Sequence, residues 1–293
     1  MEWRSAGLGW PDGVPVLRWD RGRVSPLSYG KEIGFRVVGE RYCVGARGNA
    51  CPLGALVAGR ASQARCAECA RLDRAFSVAA DGVPDDPRTY RVYLAWFGAG
   101  MAKVGITAEE RGSVRLLEQG AVAFSWLGRG PLMAARRTEE LLRAALGVPD
   151  RIPYAKKRAV RHDLPGWPER VAEIGELHRR AVALEGWPDS LERVPFEAVD
   201  HSGAFALAGL APLTRVVSEL AAGGVVAGRL VAAAGPDLHL VEATAGAEGG
   251  VLVLDTRLMS GWALTGGDGV TSVPVRQVEA SGDGDGDVQE GLF

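Results

Sequence analysis

The chain has 293 residues, of which 47% are hydrophobic and 24% charged, and its formal net charge is −2. That length holds two or three compact units of roughly 100–150 residues, and the balance excludes a chain too polar to bury a core. A near-neutral total also excludes a general pull on nucleic acid, so any phosphate contact must come from a local patch.

Arginine carries nearly all the positive charge, because Lys31, Lys103, Lys156 and Lys157 are the only lysines. No apolar run follows a basic start in the first ten residues, so no signal peptide is expected. The apolar stretch 203–235 is interrupted by Pro212, Arg215, Glu219 and Arg229 and is unfit to span a bilayer. The expectation is a cytoplasmic protein with reduced thiols and no membrane partner.

Residues 1–40 alternate apolar and polar positions between turn signals, which predicts short strands at 14–19 and 33–38. All four cysteines fall within 41–74, and the Gly, Pro and Asp residues of 81–87 read as a linker. Aromatic and β-branched residues then predict a strand over 90–97, a turn at Gly98 and Gly100, and a second hairpin strand over 102–106. Helices are predicted over 109–119, over 132–146 before Gly147 and Pro149, and from Pro168 to about residue 184. After Val194 the pattern is strands joined by Gly-rich turns, as at 251–255, and 281–291 reads as disordered. No internal repeat is visible.

The predicted fold class is α+β. Residues 1–80 form a β segment with a four-cysteine ribbon, 88–195 a central small sheet with flanking helices, and 196–278 a β-rich unit compatible with a small barrel. Residues 279–293 form a disordered tail.

The cysteines are spaced Cys43-x7-Cys51-x14-Cys66-x2-Cys69. Two thiolates separated by two residues, as in Cys66 and Cys69, can share one tetrahedral ion at ~2.3 Å. The first pair is spaced more widely than a usual knuckle. Structural zinc is the leading reading, with an iron–sulfur cluster, buried thiol pairs or a Cys66/Cys69 redox pair as alternatives. A closed four-thiolate site stabilises a fold rather than catalysing. Arg41, Arg47, Arg60, Arg65, Arg71 and Arg74 surround it, either to touch phosphate or as a solvated surface.

The second constellation is Val92-Tyr93-Leu94, Lys103-Val104-Gly105-Ile106-Thr107, Arg115 and Glu139. This ordered set resembles the GIY-YIG nuclease superfamily, in which a strand with a Tyr pairs with a strand ending in a Gly, and successive helices supply an Arg and a Glu. Tyr93 matches the first tyrosine and Gly105 the second glycine. The first half-motif lacks its glycine, and Lys103 stands where the second tyrosine would be. A broader resemblance, to a family of uncharacterised bacterial proteins, covers nearly the whole chain. It is carried by Pro26-Leu27-Ser28-Tyr29-Gly30, the cysteines, the stretch 103–107, and Arg115-Leu116-Leu117-Glu118-Gln119-Gly120-Ala121. A helix with Ala135 and Glu139 and an apolar C-terminal β segment complete it. The aromatic, amide-rich segment usual after the Glu helix is replaced by Ile152-Pro153-Tyr154-Ala155-Lys156-Lys157.

These residues suit phosphodiester hydrolysis, which needs an aligned nucleophile, a cation for developing charge and usually a divalent metal. Tyr93 would position or activate water, helped by Lys103, Arg115 would fork onto phosphoryl oxygens, and Glu139 would hold Mg²⁺ or Mn²⁺. On the 132–146 helix, Ala135, Glu139, Leu142 and Leu146 form one row that is apolar except for Glu139, whereas Glu140 neighbours arginines. The bland alternatives are an Arg115–Glu139 structural pair, a core tyrosine at 93, and a Gly105 that only permits close packing. Thr107 reads as a cap region and Gln119 with Gly120 as a helix end or substrate contact. Nine basic residues between Arg129 and Arg161 face Glu139, Glu140 and Asp150 and could guide a phosphate backbone. His162, His178, His201 and His239 lack metal-ligand spacing.

The leading expectation is a metal-dependent nuclease on DNA or RNA. The alternatives are a binding protein without catalysis, and the same scaffold used for small-molecule or protein-modifying chemistry.

Overall fold

The computed structural model describes residues 3–75, 86–149, 151–242 and 250–278. The expected tail and most of the expected 81–87 linker lie outside these residues.

The chain is α+β, with two sheets. The N-terminal strands are β1 (Trp3–Gly9), β2 (Val16–Trp19), β3 (Val24–Pro26) and β4 (Glu32–Val38), and α1 (Ala67–Ala75) follows the cysteine segment. The middle holds β5 (Thr89–Trp96), β6 (Ala102–Ala108), α2 (Val114–Gln119), β7 (Ala123–Pro131), α3 (Leu132–Leu146), α4 (Tyr154–Val160) and α5 (Trp167–Ala183). Two short strands, β8 (Glu192–Arg193) and β9 (Val199–Asp200), complete that part. Last come β10 (Leu213–Val217), β11 (Val225–Ala234), β12 (Asp237–Val241), β13 (Val251–Asp255), α6 (Thr256–Met259), β14 (Ala263–Gly266) and β15 (Val275–Gln277).

The larger sheet has the order β15-β10-β13-β12-β11-β4-β14-β1-β2-β3. The sequence separates residues 1–80 from 196–278, but the strands of the two segments interleave in this sheet. The cause is hydrogen bonding: β4 has β11 on one side and β14 on the other. Both hydrogen-bonding edges of β4 are therefore taken by strands from the 196–278 segment.

The smaller sheet runs β6-β5-β7-β8, with β9 also on β7. Its centre is β5, and both of its faces are buried. Val92, Leu94 and Trp96 join the main core on one side, and Tyr93, Ala95 and Phe97 pack with Leu116, Phe124 and Ile152 on the other. A strand covered on both faces reads as a nearly continuous apolar run, which is why 90–97 is legible. The same main core contains Leu230, Leu238 and Leu254 of the larger sheet.

The hairpin, the 132–146 helix and the 251–255 strand fall where the sequence places them. The expected 109–119 helix is instead broken at Gly112 (φ 48°), which caps a 3₁₀ turn at Glu109–Arg111 before α2 begins. Thr107 is a buried strand residue of β6 and caps nothing with its side chain. Strand β7 is unforeseen, because its Gly128, Gly130 and Pro131 read as turn residues. Among the described residues no helix is long and apolar enough to cross a membrane.

Candidate functional site

The cysteine segment follows β4. Arg47 (φ 54°) and Gly48 (φ 80°) make a tight turn closed by paired hydrogen bonds between Ala46 and Asn49. Positive φ at both central positions is the primed hairpin turn. This turn takes up the long seven-residue spacer and brings Cys51 back to Cys43. Cys66 precedes α1 and Cys69 sits in its first turn. The four Sγ atoms lie within 4.8 Å of one another, with Cys51 and Cys66 3.9 Å apart. Tetrahedral ligation at ~2.3 Å requires sulfur separations of roughly 3.8 Å, so the four fit one metal ion. The backbone N–H groups of Gly45 and Cys66 donate to Cys43 Sγ at 3.4 and 3.2 Å, as suits a thiolate.

The thiols oppose one another electrostatically. Backbone donors at Ala55 and Leu53 pull Cys51 down to about 6, whereas burial and the other three thiols push Cys69 up to about 12. All four can be thiolates together only with a cation among them. Arg41 is not available to phosphate: it is buried, and its guanidinium donates to the carbonyls of Ala58, Ala61, Arg257 and Ser260 at 2.7–2.9 Å. It thereby ties this segment to the chain around α6. Arg65 donates to the Gly45 carbonyl and pairs with Asp73.

The second cluster centres on Tyr93. It pairs in register with Gly105 across β5 and β6, and its ring lies over that glycine: a Cβ there would meet the ring edge at 2.8 Å and the hydroxyl closer still. The Tyr93 hydroxyl accepts a hydrogen bond from Gln119 Nε2 at 2.8 Å. Burial raises its proton affinity above the ordinary tyrosine value, Gln119 and Arg115 oppose that shift, and the charge of Glu139 adds to it. Tyr93, Arg115 and Glu139 are therefore brought together, from β5, α2 and α3. Arg115 is solvent-accessible and lies 3.8 Å from Glu118. Glu139 is half-buried beside the buried Ala135 and Leu142, while Glu140 is exposed. Lys103 lies opposite Ala95 and close enough to Lys157 for their charges to interact.

Helix α4 supplies what the sequence missed. Lys157 is buried, and its Nζ donates to the Gln119 carbonyl at 3.0 Å, 3.8 Å above the Phe97 ring and 4.6 Å from the Tyr154 ring. Arg158 and Arg161 point to the larger sheet, where both donate to Asp237 at 2.6 Å; Arg158 also reaches Asp255 at 2.7 Å. The basic run from Arg129 to Arg161 is thus not one phosphate-facing surface. Three of its members turn inward, and Arg129 pairs with Glu109 and Glu192. The helical run Lys156-Lys157-Arg158 carries no local sign of burial, because Lys157 is covered chiefly by Phe97 and Gln119 and Arg158 is held by Asp237, all distant in sequence.

The profile of the family described as "Protein of unknown function (DUF2797)" matches residues 30–264. The chain belongs to this family. No curated protein matches it, and no solved structure does.

The resemblance marks of this DUF2797 chain have structural meanings. Tyr29 donates from its hydroxyl to the Ala204 carbonyl, and the Gly30 amide donates to Leu230. In the stretch Glu118-Gln119-Gly120-Ala121, Glu118 pairs with Arg111, Gln119 bridges Tyr93 and Lys157, and the Ala121 carbonyl meets His201. Gly120 (φ 71°) ends α2 against the turn at Gly235 (φ 63°); a Cβ on it would lie 2.9 Å from Arg161 Nη2 and 3.2 Å from the Gly235 nitrogen. These four residues thus join the Tyr93 cluster to the larger sheet.

Proposed function

We propose that this DUF2797 protein is a cytoplasmic, divalent-metal-dependent nuclease of the GIY-YIG type whose cysteine cluster holds a structural zinc ion. The observation that carries the reading is the Gln119 hydrogen bond to the hydroxyl of Tyr93, opposite Gly105, with Arg115 and Glu139 near enough for their charges to act on that hydroxyl. The β6-β5-β7 antiparallel order, followed by a helix with the Arg and a helix with the Glu, supports it.

Glu139 offers the hard oxygen that Mg²⁺ or Mn²⁺ prefers, and one carboxylate suffices where waters and a phosphate complete the shell. Such an ion would neutralise charge on the phosphoryl oxygens. Arg115, exposed and planar, forks onto the same oxygens. Tyr93 keeps its proton, because burial dominates its surroundings. It therefore orients the attacking water by hydrogen bonding rather than removing its proton. Lys103 adds positive charge where the GIY-YIG motif has a second tyrosine. Thiolate donors and a closed four-sulfur shell suit zinc over harder ions.

The test is incubation of zinc-loaded protein with labelled single- and double-stranded DNA and RNA, with and without Mg²⁺ or Mn²⁺. Glu139→Gln should lose at least ~10²-fold in rate, the order expected for one electrostatic group. Cleavage unchanged in a folded Glu139→Gln protein would sink the assignment. The replacement of the second tyrosine by Lys103 favours a second reading, a nucleic-acid-binding protein without catalysis. Salt-sensitive binding with no cleavage under any metal would select it.

A further inference from the structure

The four sulfurs that would hold the ion are not equivalent. Cys43 and Cys69 are buried, at 8% and 2% exposure, whereas Cys51 and Cys66 are partly exposed. Cys51 Sγ and Cys66 Sγ lie 3.9 Å apart, so a shift of about 2 Å brings them to bonding distance. The pair that is close in sequence, Cys66 and Cys69, has one of its sulfurs shut inside the first turn of α1. Access to solvent therefore favours a different pair from the one that the spacing suggests.

The surrounding chain divides in two. Arg41 donates to the carbonyls of Ala58 and Ala61, which lie inside the stretch 51–66. Helix α1 lies outside it. Its Cys69 packs in a cluster of the other three cysteines with Ala46, Ala55 and Val57, none of them large. Leu72, the largest apolar side chain of α1, is 40% exposed, and Arg71 pairs with Glu68 of the same helix. Toward the rest of the segment, Asp73 meets Arg65 at 3.3 Å. The helix thus leans mainly on its sulfurs.

We propose that Cys51 and Cys66 form an oxidative modification site: hydrogen peroxide joins them in a disulfide, which expels zinc and frees α1 while the 51–66 loop stays closed. One thiolate attacks a peroxide oxygen, the O–O bond breaks and hydroxide leaves, giving a sulfenic acid. The second thiolate attacks that sulfur, the S–S bond forms and a second hydroxide leaves. Each sulfur gives up one electron, the peroxide takes both, and two protons from solvent convert the hydroxides to water. Cys43 and Cys69 then remain, and two thiolates do not complete the four-sulfur shell that holds zinc. The site depends on the zinc reading above and not on the nuclease.

Titration of zinc-loaded protein with hydrogen peroxide tests this. Zinc release is followed with a chromogenic chelator, and disulfides are mapped by mass spectrometry after alkylation of the remaining thiols. The expected result is one Cys51–Cys66 disulfide for each zinc released, with both reversed by a dithiol plus zinc. Hydrogen exchange should show residues 67–75 losing at least ~10-fold in protection on oxidation. The oxidised protein should melt above reduced protein stripped by a chelator, because the closed loop still carries the acceptors of Arg41. Cys66–Cys69 as the main disulfide, zinc release with no disulfide, or unchanged protection of α1 after oxidation would each overturn the proposal. A Cys51–Cys66 disulfide formed in a protein that purifies without zinc would keep the oxidisable pair and discard the zinc reading.

Discussion

Gly105 and Tyr93 show how much one cross-strand pair decides. The tyrosine ring is buried to 2% exposure and lies over the glycine, so it has nowhere to move if a methyl group is added. Gly105→Ala should cost about 1–3 kcal/mol, the range for overpacking a core. Gly203→Ala, where a Cβ would meet nothing within 4 Å, should stay within ~0.5 kcal/mol. Denaturant unfolding of the two variants measures this, and equal losses would refute the stacking argument. The pair is legible in sequence, because an aromatic strand followed by a glycine-bearing partner at hairpin distance leaves few registers. Lys157 is not legible: a lysine between another lysine and an arginine reads as solvated. The same blindness applies to Arg41, whose carbonyl acceptors come from residues 58–61 and 257–260.

At the scale of elements, α4 is a short helix that fastens one sheet to the other. It sends Lys157 to α2 and Arg158 to Asp237, which is completely buried and is also held by Arg161 at the end of the helix. Removing one partner of such a group leaves a buried charge, at ~3–5 kcal/mol. Acid should act on the same contact. Arg161 and Arg158 overcome burial and hold Asp237 down to about 2, and burial, reinforced by Arg161, holds His239 down to about 3. For both groups the unfolded chain binds protons more readily than the folded one, so stability falls as pH falls. For His239 the loss runs from about 6.5, the unfolded value, down to about 3; for Asp237 it runs from about 3.8 to about 2. Thermal melts should therefore weaken steadily below pH 6.5, and His239→Gln should flatten the part between 6.5 and 4. A melting temperature constant from pH 7 to pH 4 would contradict the network. The helix α3 is read correctly from local signals, an apolar row and a Gly147 cap. The α4 contacts join residues 76–97 positions apart, a separation that no local pattern encodes.

Across the whole molecule, the two ends of the described chain meet in one sheet, and the cysteine segment hangs between β4 and the central part. Its tie to the remainder is Arg41, which reaches the carbonyls of Arg257 and Ser260, next to Gly261, whose own carbonyl accepts from Tyr42. A small segment with few apolar contacts would draw its order from an ion held by the four cysteines, and ligation of this kind is worth on the order of 10 kcal/mol in isolated zinc domains. Here part of that energy should pass to the larger sheet, because β14 begins two residues after Gly261 and pairs with β4, the strand that leads into the cysteine segment. The purified protein should contain one zinc per chain, and Cys51→Ser or a strong chelator should lower the melting temperature of the entire chain rather than loosen the segment alone. Metal analysis and thermal unfolding followed by tryptophan fluorescence read both effects, since Trp3, Trp10 and Trp262 report on the larger sheet. A metal-free protein that melts at the same temperature with intact cysteines and with Cys51→Ser would show that the four sulfurs converge without structural consequence.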